Sequence, residues 1–221
     1  MICIKWCLLD AVYLAAYLHS ELIKDRIVVM MRLAVLVFVI LFSSLPVQAH
    51  ELHSSGGFIT GFNHPVLGFD HLLAMLCVGI LSTQLGGKAI WTVPTAFVIF
   101  MLVGGILGLL SIPVPFVEMG IAVSVLLLGV ALAIDKRLPQ LLVMAFVGVF
   151  AIFHGHAHGV EMPQLANPIL YALGFISGTA TIHIVGVLLG MGMQHVSKQY
   201  NLMRMSGGVI ALIGGYLLIG S

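Results

Sequence analysis

Six long apolar runs, separated by short polar breaks, constrain the fold of this chain more than any other feature. Each run has enough residues to cross a hydrocarbon core of ~30 Å as a helix that rises ~1.5 Å per residue. Only 8% of the 221 residues are charged, which excludes an ordinary soluble domain, a disordered chain and a nucleic-acid-binding protein. The sequence therefore predicts an all-α, polytopic membrane helix bundle. The predicted spans are 68–85, 90–111, 117–134, 139–155, 167–192 and 203–220.

The segment 30–49 has the organisation of a signal peptide. Met30-Met31-Arg32 is followed by an apolar run over 33–45 and by a stretch that ends in Ala49, where a small residue suits cleavage. We expect cleavage after Ala49, with a retained helix over 27–45 as the alternative. Residues 1–29 are expected to be an over-long start outside the fold. The transmembrane domain is then 50–221, with six helices after a cleavable N-terminal signal peptide.

The basic residues that follow Ala49 predict the orientation of the helices. All of them lie in or directly beside the first, third and fifth connections between the predicted spans, and cytoplasmic connections are the ones enriched in Lys and Arg. We therefore expect the mature N-terminus and the C-terminus on the outer side of the membrane. These cations are Lys88, Lys136, Arg137, Lys198 and Arg204.

Small residues recur four apart within the spans, a spacing that lets helix backbones approach closely in lipid. We expect these glycines to pack one helix against another. The pairs are Gly104 with Gly108, Gly174 with Gly178, and Gly186 with Gly190.

His64, Asp70 and His71 form the first polar cluster, at the start of the first span. Pro65 suits a first helical turn, and residues seven apart share a helix face, so the two histidines are expected to lie together. A helix cap is the simpler interpretation of His64 alone. Asp70 and His71 lie deeper in an apolar run. An ionisable residue is costly there unless it has an interaction partner or a functional role.

A second cluster, Phe153-His154-Gly155-His156-Ala157-His158-Gly159-Val160-Glu161, closes the fourth span. If the helix continues, His154, His158 and Glu161 share one face and His156 faces the opposite way. If Gly155 and Gly159 let the segment unwind, the three histidines alternate along an extended strand instead. Either conformation groups donors that suit a divalent metal, and a merely histidine-rich polar loop is the alternative.

Other polar residues extend this pattern. Glu118 starts the third span at the same depth, although the helix dipole alone also favours a carboxylate there. His183 is in mid-span, where it serves either as a deeper ligand or as an interhelical hydrogen-bond partner. His50 and His53 either capture incoming metal or belong to a disordered terminus. The expected site combines donors from the first, third and fourth spans just beneath the outer face.

From His50 to about residue 220 the chain resembles the HupE/UreJ family of nickel and cobalt transporters. The resemblance rests on the H-x5-D-H pattern of His64, Asp70 and His71, and on the F-H-G-x-A-H-G-x-E pattern from Phe153 to Glu161. It implies a secondary permease or facilitator for Ni²⁺ or Co²⁺ in the bacterial inner membrane, serving hydrogenase or urease maturation. The functional polar residues that it implies are His64, Asp70, His71, Glu118, His154, His158 and Glu161.

Two other functions fit a membrane protein with clustered histidines: a metalloenzyme, and a metal-binding accessory or sensor protein. The metalloenzyme lacks support because the sequence has no H-E-x-x-H motif, and the absence of a G-x-x-x-x-G-K-[ST] loop argues against ATP hydrolysis by this chain. The expected partners are a divalent transition-metal ion and the lipid bilayer. No cofactor is expected beyond the transported ion, and the sequence leaves a homo-oligomer open.

Overall fold

A computed structural model describes residues 57–134, 136, 138–163, 166–196 and 202–220. These residues form helices and no strand. The predicted signal peptide, the over-long start, His50 and His53 lie outside the described residues. The helices are α1 (Phe58–Leu67), α2 (Phe69–Leu85), α3 (Ala89–Leu109), α4 (Val117–Ile134), α5 (Gln140–Val160), α6 (Pro168–Val196) and α7 (Leu202–Gly220).

The described helices confirm the predicted all-α class, with five or six candidate membrane spans. The five helices α3 to α7 are long and apolar enough to cross a membrane, and α1 with α2 makes a sixth candidate if that bent pair is one span. Their bounds match the predicted runs within a few residues, except that α5 reaches Val160 rather than residue 155. The fourth predicted run thus continues as a helix through His154, His156 and His158. This confirms the helical alternative for the histidine motif and excludes the extended one.

The start of the first span differs from the prediction. Pro65 lies in the last turn of a separate helix, α1, and not in the first turn of the span. Gly68 is extended, with ψ 109°, and the axes of α1 and α2 differ by 84° across it. The prediction that His64 and His71 share a face of one helix is therefore wrong, since they belong to two helices, although both rings lie beside that of His158.

Glycines allow the helices to pack in pairs. A side chain at Gly104 would meet the backbone carbonyl of Ile152, so α3 contacts α5 directly. A side chain at Gly186 would likewise meet the backbone carbonyl of Leu76, where α6 packs on α2. All six glycines named from their spacing make such close contacts with another helix, which confirms their predicted packing role.

The bundle is apolar on its outside and carries polar side chains inside. Large exposed side chains such as Trp91, Leu141 and Leu212 suit contact with lipid. His71, His154, His158 and His183 are buried. Since lipid cannot hydrogen-bond to an imidazole, these histidines need partners within the protein or a ligand.

Candidate metal site

Four imidazole rings from three helices meet at one end of the bundle, where α2 begins and α5 ends. The His71 ring of α2 lies between two rings of α5, with centroids 4.8 Å from His154 and 4.7 Å from His158. The His64 ring of α1 has its centroid 4.8 Å from that of His158. The two histidine motifs, 90 residues apart in sequence, therefore form one cluster, called here the histidine cluster.

Asp70 determines which nitrogen of His71 carries a proton. The Asp70 Oδ1 lies 2.9 Å from Nδ1 of His71, and a carboxylate accepts hydrogen bonds, so Nδ1–H is the donor. Nε2 of His71 then carries a lone pair, and it is buried with no hydrogen-bond partner among the described residues. A carboxylate that orients an imidazole in this way is a usual neighbour of a metal-binding histidine.

Ser124 of α4 acts on His154 in the same way. Its Oγ is 2.6 Å from the carbonyl oxygen of Ile121 and 2.9 Å from Nε2 of His154. The hydroxyl has one proton, so both contacts are satisfied when Ser124 donates to Ile121 and accepts from Nε2–H of His154. Nδ1 of His154 is thereby left with a lone pair, also buried and without a partner in the described part of the chain.

His158 lies between the outer and inner rings of the histidine cluster and has no fixed tautomer. It is fully buried, and within the described ranges neither ring nitrogen has a hydrogen-bond partner. Its ring stacks on Phe175 of α6, with centroids 5.5 Å apart. An unsatisfied buried polar group costs about 1–3 kcal/mol, so the cluster carries a free-energy penalty that a bound ligand would relieve.

Glu161 pairs with His64 where the cluster meets the surface. The Glu161 Oε2 lies 2.8 Å from Nε2 of His64, with 51% of the Glu161 side chain and 27% of the His64 side chain exposed. This hydrogen bond lowers the pKa of the Glu161 carboxyl, and the effect exceeds that of partial burial, which raises it. Glu161 is therefore an anion at neutral pH, at the most accessible edge of the histidine cluster.

Six of the seven predicted site residues come together at this end of the bundle, and Glu118 does not join them. Glu118 is in the first turn of α4, as predicted, but it is exposed and no hydrogen bond or ion pair links it to another described residue. His156 faces away from the cluster, as the helical alternative predicts, and its Nε2 bonds to the carbonyl of Ile112 at 3.0 Å.

The side chains are not arranged as a closed metal site. Among the described residues, no group of three His, Cys, Asp or Glu side chains is positioned to hold an ion as they stand. The rings of the histidine cluster meet edge to face, so their lone pairs do not converge on one point. Their composition, imidazole with carboxylate, is nevertheless the set that suits Ni²⁺, Co²⁺ and Zn²⁺.

Two residues of this region were missed by the sequence analysis. Ser124 lies in an apolar run, and nothing in its local sequence separates a hydroxyl that orients a histidine from one that bonds to its own helix. Tyr171 of α6 is 2% exposed, with its ring centroid 6.0 Å from that of His64. An aromatic residue near a span end is common, so the sequence carried no signal for it.

Comparisons with known proteins identify the family to which this chain belongs. The sequence profile described as HupE / UreJ protein matches residues 36–217. Protein HupE of Rhizobium leguminosarum bv. viciae is 42% identical over 181 residues, which cover 80% of this chain and 93% of that protein. No solved structure matches the chain significantly. A profile match of this extent, together with a relative of this identity, shows that the chain belongs to the HupE / UreJ protein family.

Proposed function

We propose that this protein is a secondary transporter, a permease or facilitator, that takes up Ni²⁺ or Co²⁺ across the bacterial inner membrane. Its family is associated with nickel and cobalt uptake for hydrogenase and urease. The observation that carries the proposal is the histidine cluster, in which His71 and His154 each have one nitrogen fixed by a neighbour and one buried nitrogen unpartnered.

The carboxylates of this region suit a divalent ion. A dication cannot be solvated by hydrocarbon, so its charge must be offset by anionic groups as it leaves water. Glu161 would attract the ion at the surface, and Asp70, 29% exposed at its side chain, would supply a second negative charge beside His71. Glu118, at the start of α4, is proposed as a third acidic residue that acts at the mouth rather than as a direct ligand.

An incomplete metal site is what transport requires. A site that holds an ion in ideal geometry releases it slowly, whereas conduction needs binding strong enough for capture and weak enough for release. Rotation of the His158 ring, which no hydrogen bond holds among the described residues, would let an ion pass from the His64 side of the cluster to His71 and His154. The driving force would be the metal gradient, the membrane potential, or protons released when histidines bind the ion.

The positions of the cations and acids suggest which side the ion enters from. The histidine cluster lies at the end of the bundle where α3 and α5 end and α2 begins. Lys88 lies at the opposite end of α3, and cytoplasmic connections are the ones rich in cations. We therefore propose that the cluster opens to the periplasm, with the mature N-terminus and the C-terminus on that side.

Uptake into proteoliposomes tests the proposal. The purified full chain should raise internal Ni²⁺ or Co²⁺ above protein-free vesicles, and competition among Ni²⁺, Co²⁺, Zn²⁺ and Cu²⁺ should identify the preferred ion. Asp70→Asn should lower uptake about 10- to 100-fold, the usual effect of removing the partner of a metal-binding histidine. The control is His195→Ala, at an exposed position on α6. An accessory or sensor protein, or an enzyme, would bind the ion without raising internal metal.

A further inference from the structure

His183 is a buried histidine that the histidine cluster does not include. It lies near the middle of α6 and is 2% exposed. In the part of the chain that the structure describes, neither of its ring nitrogens has a hydrogen-bond partner. The interhelical hydrogen bond considered from the sequence is therefore not found. An imidazole that leaves two polar atoms unsatisfied in a membrane protein core is costly and calls for a ligand or a function.

One aromatic ring separates His183 from the histidine cluster. The Phe97 ring of α3 has its centroid 5.7 Å from that of His154 and 5.2 Å from that of His183. All three residues are almost fully buried. Going inward from the surface pair His64 and Glu161, His183 is thus the next imidazole beyond the cluster, on the far side of a single ring.

We propose that His183 is an inner relay site, which receives the dication from the histidine cluster past Phe97. This inference rests on the proposed transport function. One imidazole supplies one neutral lone pair, so it binds a divalent ion weakly. Weak binding at successive sites suits an ion that must move on.

The test separates binding at the histidine cluster from passage through the protein. His183→Leu introduces an apolar side chain of similar size that has no nitrogen to bind an ion. His195→Leu is the matched control at an exposed position of the same helix. We expect His183→Leu to bind Ni²⁺ in detergent within about twofold of the wild-type Kd and to take up Ni²⁺ into proteoliposomes at least about tenfold more slowly. His195→Leu should match the wild type in both assays.

Two results would overturn the relay without rejecting the transport proposal. The first is uptake by His183→Leu at the wild-type rate. The second is loss of both Ni²⁺ binding and uptake in His183→Leu, which would assign His183 to the outer site. Absence of uptake by the wild type would instead reject transport and the relay with it.

If His183→Leu fails to insert into the membrane, His183→Cys tests the relay instead. A thiolate favours softer ions, so the relay requires Zn²⁺ to compete more strongly with Ni²⁺ uptake than in the wild type, and unchanged competition would contradict it.

Discussion

The rings of His71 and His154 meet edge to face, with centroids 4.8 Å apart. In each ring one nitrogen is hydrogen-bonded to a neighbouring side chain, and the other is buried without a partner among the described residues. Asp70 accepts a hydrogen bond from Nδ1–H of His71, and the Ser124 hydroxyl accepts one from Nε2–H of His154. Residues of α2 and α4 therefore fix the tautomers of His71 and His154. The nitrogen of each ring that carries the lone pair is determined before any ion arrives, which lowers the entropic cost of binding.

The first prediction concerns Ser124. Ser124→Ala removes the acceptor of His154 Nε2–H, so His154 is free to adopt the tautomer that protonates Nδ1 and lacks the lone pair there. We expect nickel affinity to fall about 10-fold or more, within the range for lost partners of metal-binding histidines, with the fold retained. The measurement is Ni²⁺ binding in detergent together with the concentration dependence of uptake.

Ser177→Ala is the control for this substitution. Ser177 also donates to a carbonyl of its own helix, that of Leu173 at 2.7 Å, but it is only partly buried and has no hydrogen bond to a histidine of the cluster. It should behave as the wild type. Equal nickel affinity in Ser124→Ala and Ser177→Ala would mean that the tautomer of His154 is not set by Ser124.

The second prediction contrasts two histidines that are two residues apart on α5. His158→Leu removes two unpartnered buried nitrogens and fills the site with an apolar side chain, so it should leave the thermal stability unchanged or raise it while uptake is lost. His156→Leu removes the bond to the carbonyl of Ile112, so it should lower stability by about 1 kcal/mol and keep uptake per folded molecule. Melting in detergent and uptake in proteoliposomes give both readouts.

The opposite pattern would contradict the assignment of roles. A His158→Leu protein that unfolds more readily and still transports would make His158 a structural residue. A His156→Leu protein that is stable and inactive would place the functional imidazole on the other face of α5.

The sequence was enough to predict the bundle and most of the cluster, because both depend on local spacing. Apolar runs of membrane length fixed the helices, and the four-residue spacing of His154 and His158 fixed their common face once α5 continued to Val160. The places of Asp70 in the first turn of α2 and of Glu161 directly after α5 followed from the ends of the apolar runs. These properties belong to single helices and need no knowledge of their neighbours.

Relations between helices were not predictable. The bend at Gly68 was missed because a glycine within an apolar stretch looks the same whether it packs a helix or ends one. Ser124 was missed because the partner of a hydroxyl depends on how α4 is rotated against α5. Glu118 shows the same limit, since its place in the first turn of α4 was predicted from the sequence, whereas its exposure and its lack of a hydrogen bond to the cluster were not.

The third prediction concerns pH and Glu161. The hydrogen bond from His64 lowers the pKa of this carboxyl below its ordinary value of 4.5. A lowered pKa means that the ionised Glu161 carboxylate contributes to stability above the ordinary pKa, and this contribution is lost only as the pH falls through the lowered pKa. Glu161 therefore stays charged from about pH 7.5 to about pH 5.5.

Glu161→Gln should then slow uptake by a factor that does not change over this pH range. We expect about a tenfold reduction at low ionic strength, because an anionic mouth raises the local cation concentration by about 10-fold or more. Initial uptake rates of both proteins at several pH values check this. If the two rates converge by about pH 5.5, the carboxyl is already protonated in the wild type and the pairing with His64 does not hold it ionised.

The fourth prediction concerns the glycine between His154 and His156. A methyl group on Gly155 would overlap the backbone carbonyl of Met101 and lie 2.8 Å from the backbone nitrogen of Gly105. Backbone atoms cannot rotate away as a side chain can, so Gly155→Ala must push α5 away from α3 and displace His154. Overpacking of this kind costs about 1–3 kcal/mol or more, and it should also weaken nickel binding.

Gly215→Ala is the control, at a position with no neighbouring atom within 4 Å. It should be neutral or stabilise α7 by up to about 1 kcal/mol. Melting and Ni²⁺ binding in detergent distinguish the two variants, and a Gly155→Ala protein that matches the wild type in both would show that α3 and α5 do not pack as closely as this glycine implies.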